Sequence, residues 1–234
     1  MGSCMASASA ETLAARMATR LGDMSLEVAE GDFLGPEEEL LDRLRISRPT
    51  LRQASKMAEN DGLIKVRRGV KGGLYAARPN AAGAIKVLVR YLRLRGARMR
   101  DVMGMSRPVA AEAAALAAEC RDHDLRRELE AFLESIESRD TPGDLIRAEI
   151  ELARIVAAMS GNPAIELVLS IGFSFGFQER DAALFGAPEH RARLRKLQRD
   201  LCRAILESDA EVARLMMQRR SAAIAVWLKE SGLI

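Results

Sequence analysis

Aromatic residues are scarce in this sequence: Phe, Trp and Tyr make up 4% of 234 residues, with one Trp. Sandwiches and barrels rely on aromatic and β-branched side chains to cover pleated faces. That shortage, beside plentiful Ala, Leu and Arg, argues for helices. Histidine is rarer still, and His123 and His190 alone give a histidine-built metal site almost no material. The three cysteines, Cys4, Cys120 and Cys202, form no CxxC pair and no even disulfide framework. They read as separate thiols in a reducing compartment, which points to the cytoplasm. No run approaches the ~20 apolar residues of a membrane span, so no membrane partner is expected. Residues 1–10 lack the basic start and apolar core of a secretory signal and are expected to form a flexible arm.

What is present is an uneven distribution of charge. The net charge is only +3, and the chain is 48% hydrophobic and 29% charged, enough for a core and a soluble surface. From Arg43 to Arg78, however, ten basic residues face two acidic ones, Glu59 and Asp61, whereas residues 1–42 are acidic. A basic block inside a nearly neutral chain suggests a face for a polyanion. The alternative is that its arginines pair with Glu37, Glu38, Glu39 and Asp42 on the surface.

Local patterning gives that block a shape. Leu13, Met17, Ala18 and Leu21 have helical spacing. Gly31 to Gly35 reads as a loop. Pro36 opens a short helix whose first turn carries three glutamates, which suit the helix dipole, and Leu40, Leu41 and Leu44 form its inner face. Ser47 is a suitable N-cap, with Pro49 in the first turn, for a helix over about 48–60. Leu51, Ala54 and Met57 face inward, and Arg48, Arg52 and Lys56 recur every four residues on another face. Residues 63–67 and 74–76 read as two strands around a basic, glycine-rich turn at Arg68-Gly69-Val70-Lys71-Gly72-Gly73. Helix, short helix, second helix and basic hairpin is the order of a winged helix-turn-helix. Its second turn helix enters the major groove and its hairpin tip meets phosphates or the minor groove.

The stretches Leu34-Gly35-Pro36-Glu37-Glu38-Glu39-Leu40, Ser47-Arg48-Pro49-Thr50-Leu51-Arg52-Gln53-Ala54, Asp61-Gly62-Leu63 and Arg67-Arg68-Gly69 resemble the GntR superfamily of bacterial transcription regulators. The resemblance implies DNA contacts by Arg48 and Arg52, with Ser47 and Thr50 near the DNA backbone and Arg68 and Gly69 at the wing tip. Gln53, Lys56, Arg67 and Lys71 complete the expected reading surface. The family often places an arginine between the acidic residues of the short helix, where this chain has Glu38. Arg43 or Arg45 is expected to stand in for it.

From residue 82 onward the pattern is helical, over roughly 82–95, 98–119, 122–138, 143–159, 163–183, 188–207 and 209–230, with short connections that imply an antiparallel bundle. The expected architecture is therefore mainly α: a winged helix-turn-helix over 11–79, a linker at 80–84, and an all-helical bundle over 85–232. Asp101-Val102, Arg107, Ser160-Gly161-Asn162-Pro163 and Glu207-Ser208-Asp209 resemble the C-terminal ligand-binding (FCD) domain of the FadR branch. Many members of that branch hold a divalent metal through an aspartate and three histidines. Counting from Gly161 and Asp209, those positions carry Glu149, Ala153, Gln198 and Arg220 here, so no metal and no other cofactor is expected.

The same residues suggest a different use. Glu149, Gln198 and Arg220, with Arg107, could ring one cavity, and Phe173 and Phe177 lie on one helical face that lines a pocket, a dimer face or plain core. Either Glu149 pairs with Arg220, or Arg220 or Arg107 receives the carboxylate or phosphate of an effector. By analogy with the branch, an acyl-CoA is one such effector. The expected function is a homodimeric DNA-binding regulator, a repressor of a pseudo-palindromic operator, modulated by a small anionic metabolite. A ligand-independent DNA binder that uses the bundle only to dimerise is the alternative. An enzyme using Glu149 and His190 as acid and base finds no nucleophile motif, phosphate loop or ligand pair to support it.

Overall fold

A computed structural model describes residues 12–69, 72–176 and 185–232. The chain divides into two compact units, Met1–Ala84 and Ile85–Ile234.

In the first unit, α1 (Leu13–Leu26) starts at Thr12, whose side chain accepts from the Ala15 N–H at 3.2 Å. The helix runs through Gly22, because that glycine serves packing rather than termination: a Cβ there would lie 2.7 Å from Leu63 Cδ1. Then follow β1 (Phe33–Gly35), α2 (Glu37–Leu44), α3 (Arg48–Asn60), β2 (Ile64–Arg67) and β3 (Gly73–Ala76). The expected loop at 31–35 is in fact partly strand. β1 pairs antiparallel with β3, which also pairs with β2, giving the order β1-β3-β2. Gly73 permits this closure, since a Cβ there would come within 2.6 Å of the Gly35 carbonyl oxygen. Leu21, Leu40, Leu51, Ala54, Ala58, Ile64 and Leu74 form the core, so all three helices and the sheet contribute to one apolar centre.

All regular elements of the second unit among its described residues are helices. It comprises α4, which begins before the boundary (Ala81–Leu94), α5 (Met99–Ala118), α6 (His123–Ser135) with a 3-10 turn at Ile136–Ser138, α7 (Pro142–Met159), α8 (Pro163–Gly176), α9 (Pro188–Leu206) and α10 (Ala210–Glu230). Caps set several boundaries. Asp122 accepts from the N–H groups of Asp124 and Leu125, and Asp209 from that of Val212. Thr141 and Asp144 form a reciprocal capping box at α7. The Thr141 hydroxyl, and next Arg147, hold the Asp144 carboxyl below its ordinary pKa.

Helix α7 is buried around much of its circumference, through Leu145, Ala148, Leu152, Ile155 and Val156, which marks it as the central helix of the bundle. Around it, α5 packs on α7, α8, α9 and α10. The small buried side chains of α5, Ala113, Ala114 and Ala117, leave room for close neighbours. A second apolar cluster gathers around Trp227, edge-on to Phe185 at 6.3 Å and stacked on His190 at 4.8 Å.

Candidate nucleic-acid interface and helical-unit cavity

Helix α2 ends at Arg45, which adopts the left-handed conformation (φ 54°, ψ 48°) and turns the chain toward Ser47. Ser47 caps α3 through Thr50, whose N–H lies 3.4 Å from the Ser47 hydroxyl; the two hydroxyls are 2.8 Å apart. Leu51, Ala54, Ser55 and Ala58 bury one side of α3. The pattern therefore turns Arg48, Arg52, Gln53 and Lys56 outward, and all four are exposed. Arg43, Arg45 and Ser47 are exposed at the turn, and Thr50 is half-buried. In the hairpin, Arg67 lies over the Tyr75 ring at 4.1 Å, and Arg68 and Gly69 are exposed. Lys71 lies outside the described residues.

The surface pairing weighed for these arginines is present. Arg48 Nη2 donates to Glu38 Oε1 at 2.5 Å. Glu37 Oε1 stands 3.6 Å from Arg48 Nε and 3.7 Å from Arg52 Nε. The two arginine side chains nevertheless keep 50% and 69% of their surface open. Exposed pairs of this kind contribute about 0–1 kcal/mol, so they orient the guanidinium groups without sealing them off. Glu37 is among the partners expected for these arginines; that one oxygen stands near both follows from how α2 crosses α3.

In the helical unit, Glu149 on α7, Gln198 on α9 and Arg220 on α10 meet in the interior, at 1%, 0% and 5% exposure. Arg220 grips the carboxylate with two nitrogens: Nε donates to Glu149 Oε1 at 3.2 Å and Nη2 donates to Oε2. Gln198 Nε2 adds a third bond to Oε1 at 2.8 Å, and Arg220 Nη1 reaches Met217 Sδ at 3.4 Å. With no ligand present, Arg220 pairs with Glu149.

Beside this pair lies a cavity of about 90 Å³ whose wall includes Met99, Met103, Leu169, Phe173 and Ile224, with Glu149, Ala153 and Arg220 also on it. Arg107 lines it too, although its side chain is exposed. Gln198 does not line the cavity, which corrects the expectation that it belongs to the ring: it is wholly buried behind Glu149. Phe173 lines the cavity, and Phe177 lies outside the described residues.

The donors do not suit a divalent ion. The single carboxylate is already neutralised by a guanidinium, and Ala153 offers no lone pair. Among the described residues no group of three or more His, Cys, Asp and Glu gathers in one place. Cys202, one turn beyond Gln198, is no nucleophile, because burial pushes its thiol up to about 12.

Among the described residues no helix is long and apolar enough to cross a membrane. Two family models match the chain: bacterial regulatory proteins of the gntR family over residues 10–71, and the FCD domain over residues 101–222. No curated protein matches it. Among solved structures, Streptococcus agalactiae GntR is 20% identical with a TM-score of 0.67, covering 91% of this chain and 98% of its own. Listeria monocytogenes Lar is 17% identical with a TM-score of 0.47, covering 95% and 99%. E. coli McbR/YncC is 18% identical with a TM-score of 0.41, covering 94% and 99%.

Proposed function

Because the chain belongs to the GntR family of bacterial regulatory proteins and carries an FCD domain, it is a DNA-binding transcription regulator, and we propose that it acts as a homodimeric repressor whose winged unit reads a pseudo-palindromic duplex and whose helical cavity binds the effector that modulates this reading. The observation that carries the proposal is the outward row of Arg48, Arg52, Gln53 and Lys56 on a capped helix, backed by a single apolar core. Ser47, Thr50, Arg43 and Arg45 flank that row, and Arg67, Arg68, Gly69 and Lys71 supply the wing. A helix of this kind fits the major groove, with guanidinium and amide groups aimed at base edges.

Ligand control follows if the effector binds one DNA-affinity state better than the other, by a factor equal to the coupling between the sites. Selection of random duplexes by the full-length protein is expected to enrich an inverted repeat. Its affinity should fall steeply with salt as counterions are released. Recovery of no preferred sequence would overturn the reading.

The homodimer is supported by α4. Val87, Leu88, Tyr91 and Leu94 form a stripe at helical spacing that is 40–87% exposed in the single chain. A second copy covers such a stripe and supplies the second half-site reader. The double variant Leu88→Glu/Leu94→Glu is expected to shift the protein to monomer in sedimentation and to weaken operator binding at least tenfold. A variant that stays dimeric would place the interface elsewhere.

A further inference from the structure

Away from its core, the sheet of the winged unit carries a row of aromatic and cationic side chains. Ile64, Leu74 and Ala76 are buried in the apolar centre, so strand alternation sends Lys65, Arg67 and Tyr75 to the opposite face. Phe33 of β1 joins them as the cross-strand partner of Tyr75, and the two ring centroids are 5.0 Å apart. The Arg67 guanidinium carbon lies over the Tyr75 ring, 4.1 Å from its centroid. Gly73, which faces Arg67 in register, leaves a notch that Phe33 fills: a Cβ there would stand 2.5 Å from Phe33 Cε2. Phe33 is 53% exposed, so burial alone does not account for an aromatic at that position. The strand that carries Arg67 is also held from its free edge. β2 pairs only with β3, and the Val66 N–H donates to Glu59 Oε1 at 3.0 Å. Glu59 stands in the last turn of α3, so the root of the wing is tied to the helix that carries Arg48 and Arg52. Among the described residues no carboxylate pairs with Arg67, whereas Glu37 and Glu38 hold Arg48.

We propose that Phe33 and Tyr75 are positioning residues for DNA binding: their ring pair pre-sets the Arg67 guanidinium as a fixed phosphate contact at the root of the wing. The inference rests on the winged unit binding duplex DNA, and it adds two residues that lie outside both α3 and the hairpin tip. A guanidinium over a ring face is held through its π surface and keeps its N–H groups for an anion. A free arginine loses rotamer freedom when it meets a phosphate, whereas one already seated on a ring has lost part of it before binding. The phosphate contact carries no sequence information, so the gain applies to every duplex.

The test uses full-length protein and a labelled mixed-sequence DNA duplex, with binding followed by anisotropy over a range of salt. Arg67→Ala is expected to weaken binding and to flatten the salt dependence by about one unit of slope for each winged unit bound. Tyr75→Leu should weaken binding about two- to fivefold, the reach of an exposed cation–π contact. Tyr75→Phe keeps the ring and should restore the parental affinity. In the Arg67→Ala background Tyr75→Leu should cost nothing further, because the ring acts only through that guanidinium. Where Tyr75→Leu fails to fold, Phe33→Leu, at an exposed position, carries the same comparison in both Arg67 backgrounds with a smaller loss. Losses that simply add would show that the rings act through sheet stability, and would overturn the proposal. Arg67→Ala with parental affinity and salt slope would overturn it as well, while leaving α3 as the DNA reader. A parental protein that binds no duplex at any salt would overturn the DNA reading together with it.

Discussion

Glu149→Ala is expected to cost the helical unit about 3–5 kcal/mol, the typical penalty for removing one partner of a buried ion pair. The side chains involved are 1% and 6% exposed, so the pair is shielded from bulk water in the parent chain. What remains after the substitution is a guanidinium whose Nε and Nη2 have lost both acceptors, beside a wall that is mostly apolar. Arg220→Met should cost a similar amount for the mirror-image reason, leaving a carboxylate with only Gln198 as donor.

The pair as a whole is a different matter. Desolvating two ions offsets most of their attraction, so Glu149→Leu/Arg220→Met together should be close to neutral or even stabilising. Trp227 is the only tryptophan in the chain and is 3% exposed against Phe185 and His190. Its fluorescence during urea unfolding therefore reports the helical unit without interference from the winged one. Single variants as stable as the parent would show that water or a rearranged side chain compensates the charge. A double variant no better than the singles would show that the pair contributes net stability.

Helix α3 was legible in sequence because each of its determinants is local. Ser47 caps it, Pro49 fits its first turn, and Leu51, Ala54 and the basic row follow helical spacing. Most bundle helices were legible for the same reason, since Asp122, Thr141, Asn162 and Asp209 act within three residues of themselves.

What escaped was tertiary. Phe33–Gly35 is a strand only because β3 lies beside it, and three residues ending in glycine show no alternation. Gly22 looks like a helix breaker until Leu63 is seen against it. In the helical unit, spacing and resemblance brought Glu149, Gln198 and Arg220 to one place. Neither could decide between an ion pair and a ligand clamp, because that depends on where three different helices put their side-chain ends. The position of Gln198 behind the carboxylate rather than on the cavity wall follows from the crossing of α7 and α9, which no local pattern encodes.

The second large effect is expected at the winged unit, where Arg52→Ala should weaken operator binding by about 1–3 kcal/mol, or roughly 5- to 150-fold. Base contact and phosphate contact can be separated in the same experiment. If Arg52 reads a guanine, the loss concentrates on operator sequence and specificity relaxes at one position in each half-site. If it meets a phosphate, all sequences weaken alike and the salt slope falls by about one.

The carboxylates on α2 act in the opposite direction. Glu38 is 73% exposed and bonded to Arg48. It adds negative charge next to the proposed DNA-reading surface, and its pair with Arg48 has to open if Arg48 turns to the DNA. An exposed pair is worth at most about 1 kcal/mol, so Glu38→Gln should raise affinity by no more than about fivefold. Glu38→Arg, which also reverses the charge, should raise it further at low salt and lose that advantage at high salt. Glu37 should not behave in this way, because its Oε1 stands within ion-pair distance of both Arg48 and Arg52. Glu37→Gln is expected to leave non-specific binding unchanged or stronger while lowering discrimination between operator and random duplex. A common response of both carboxylates, in either direction, would show that α2 influences binding through charge alone and that the recognition arginines need no partner to fix their register.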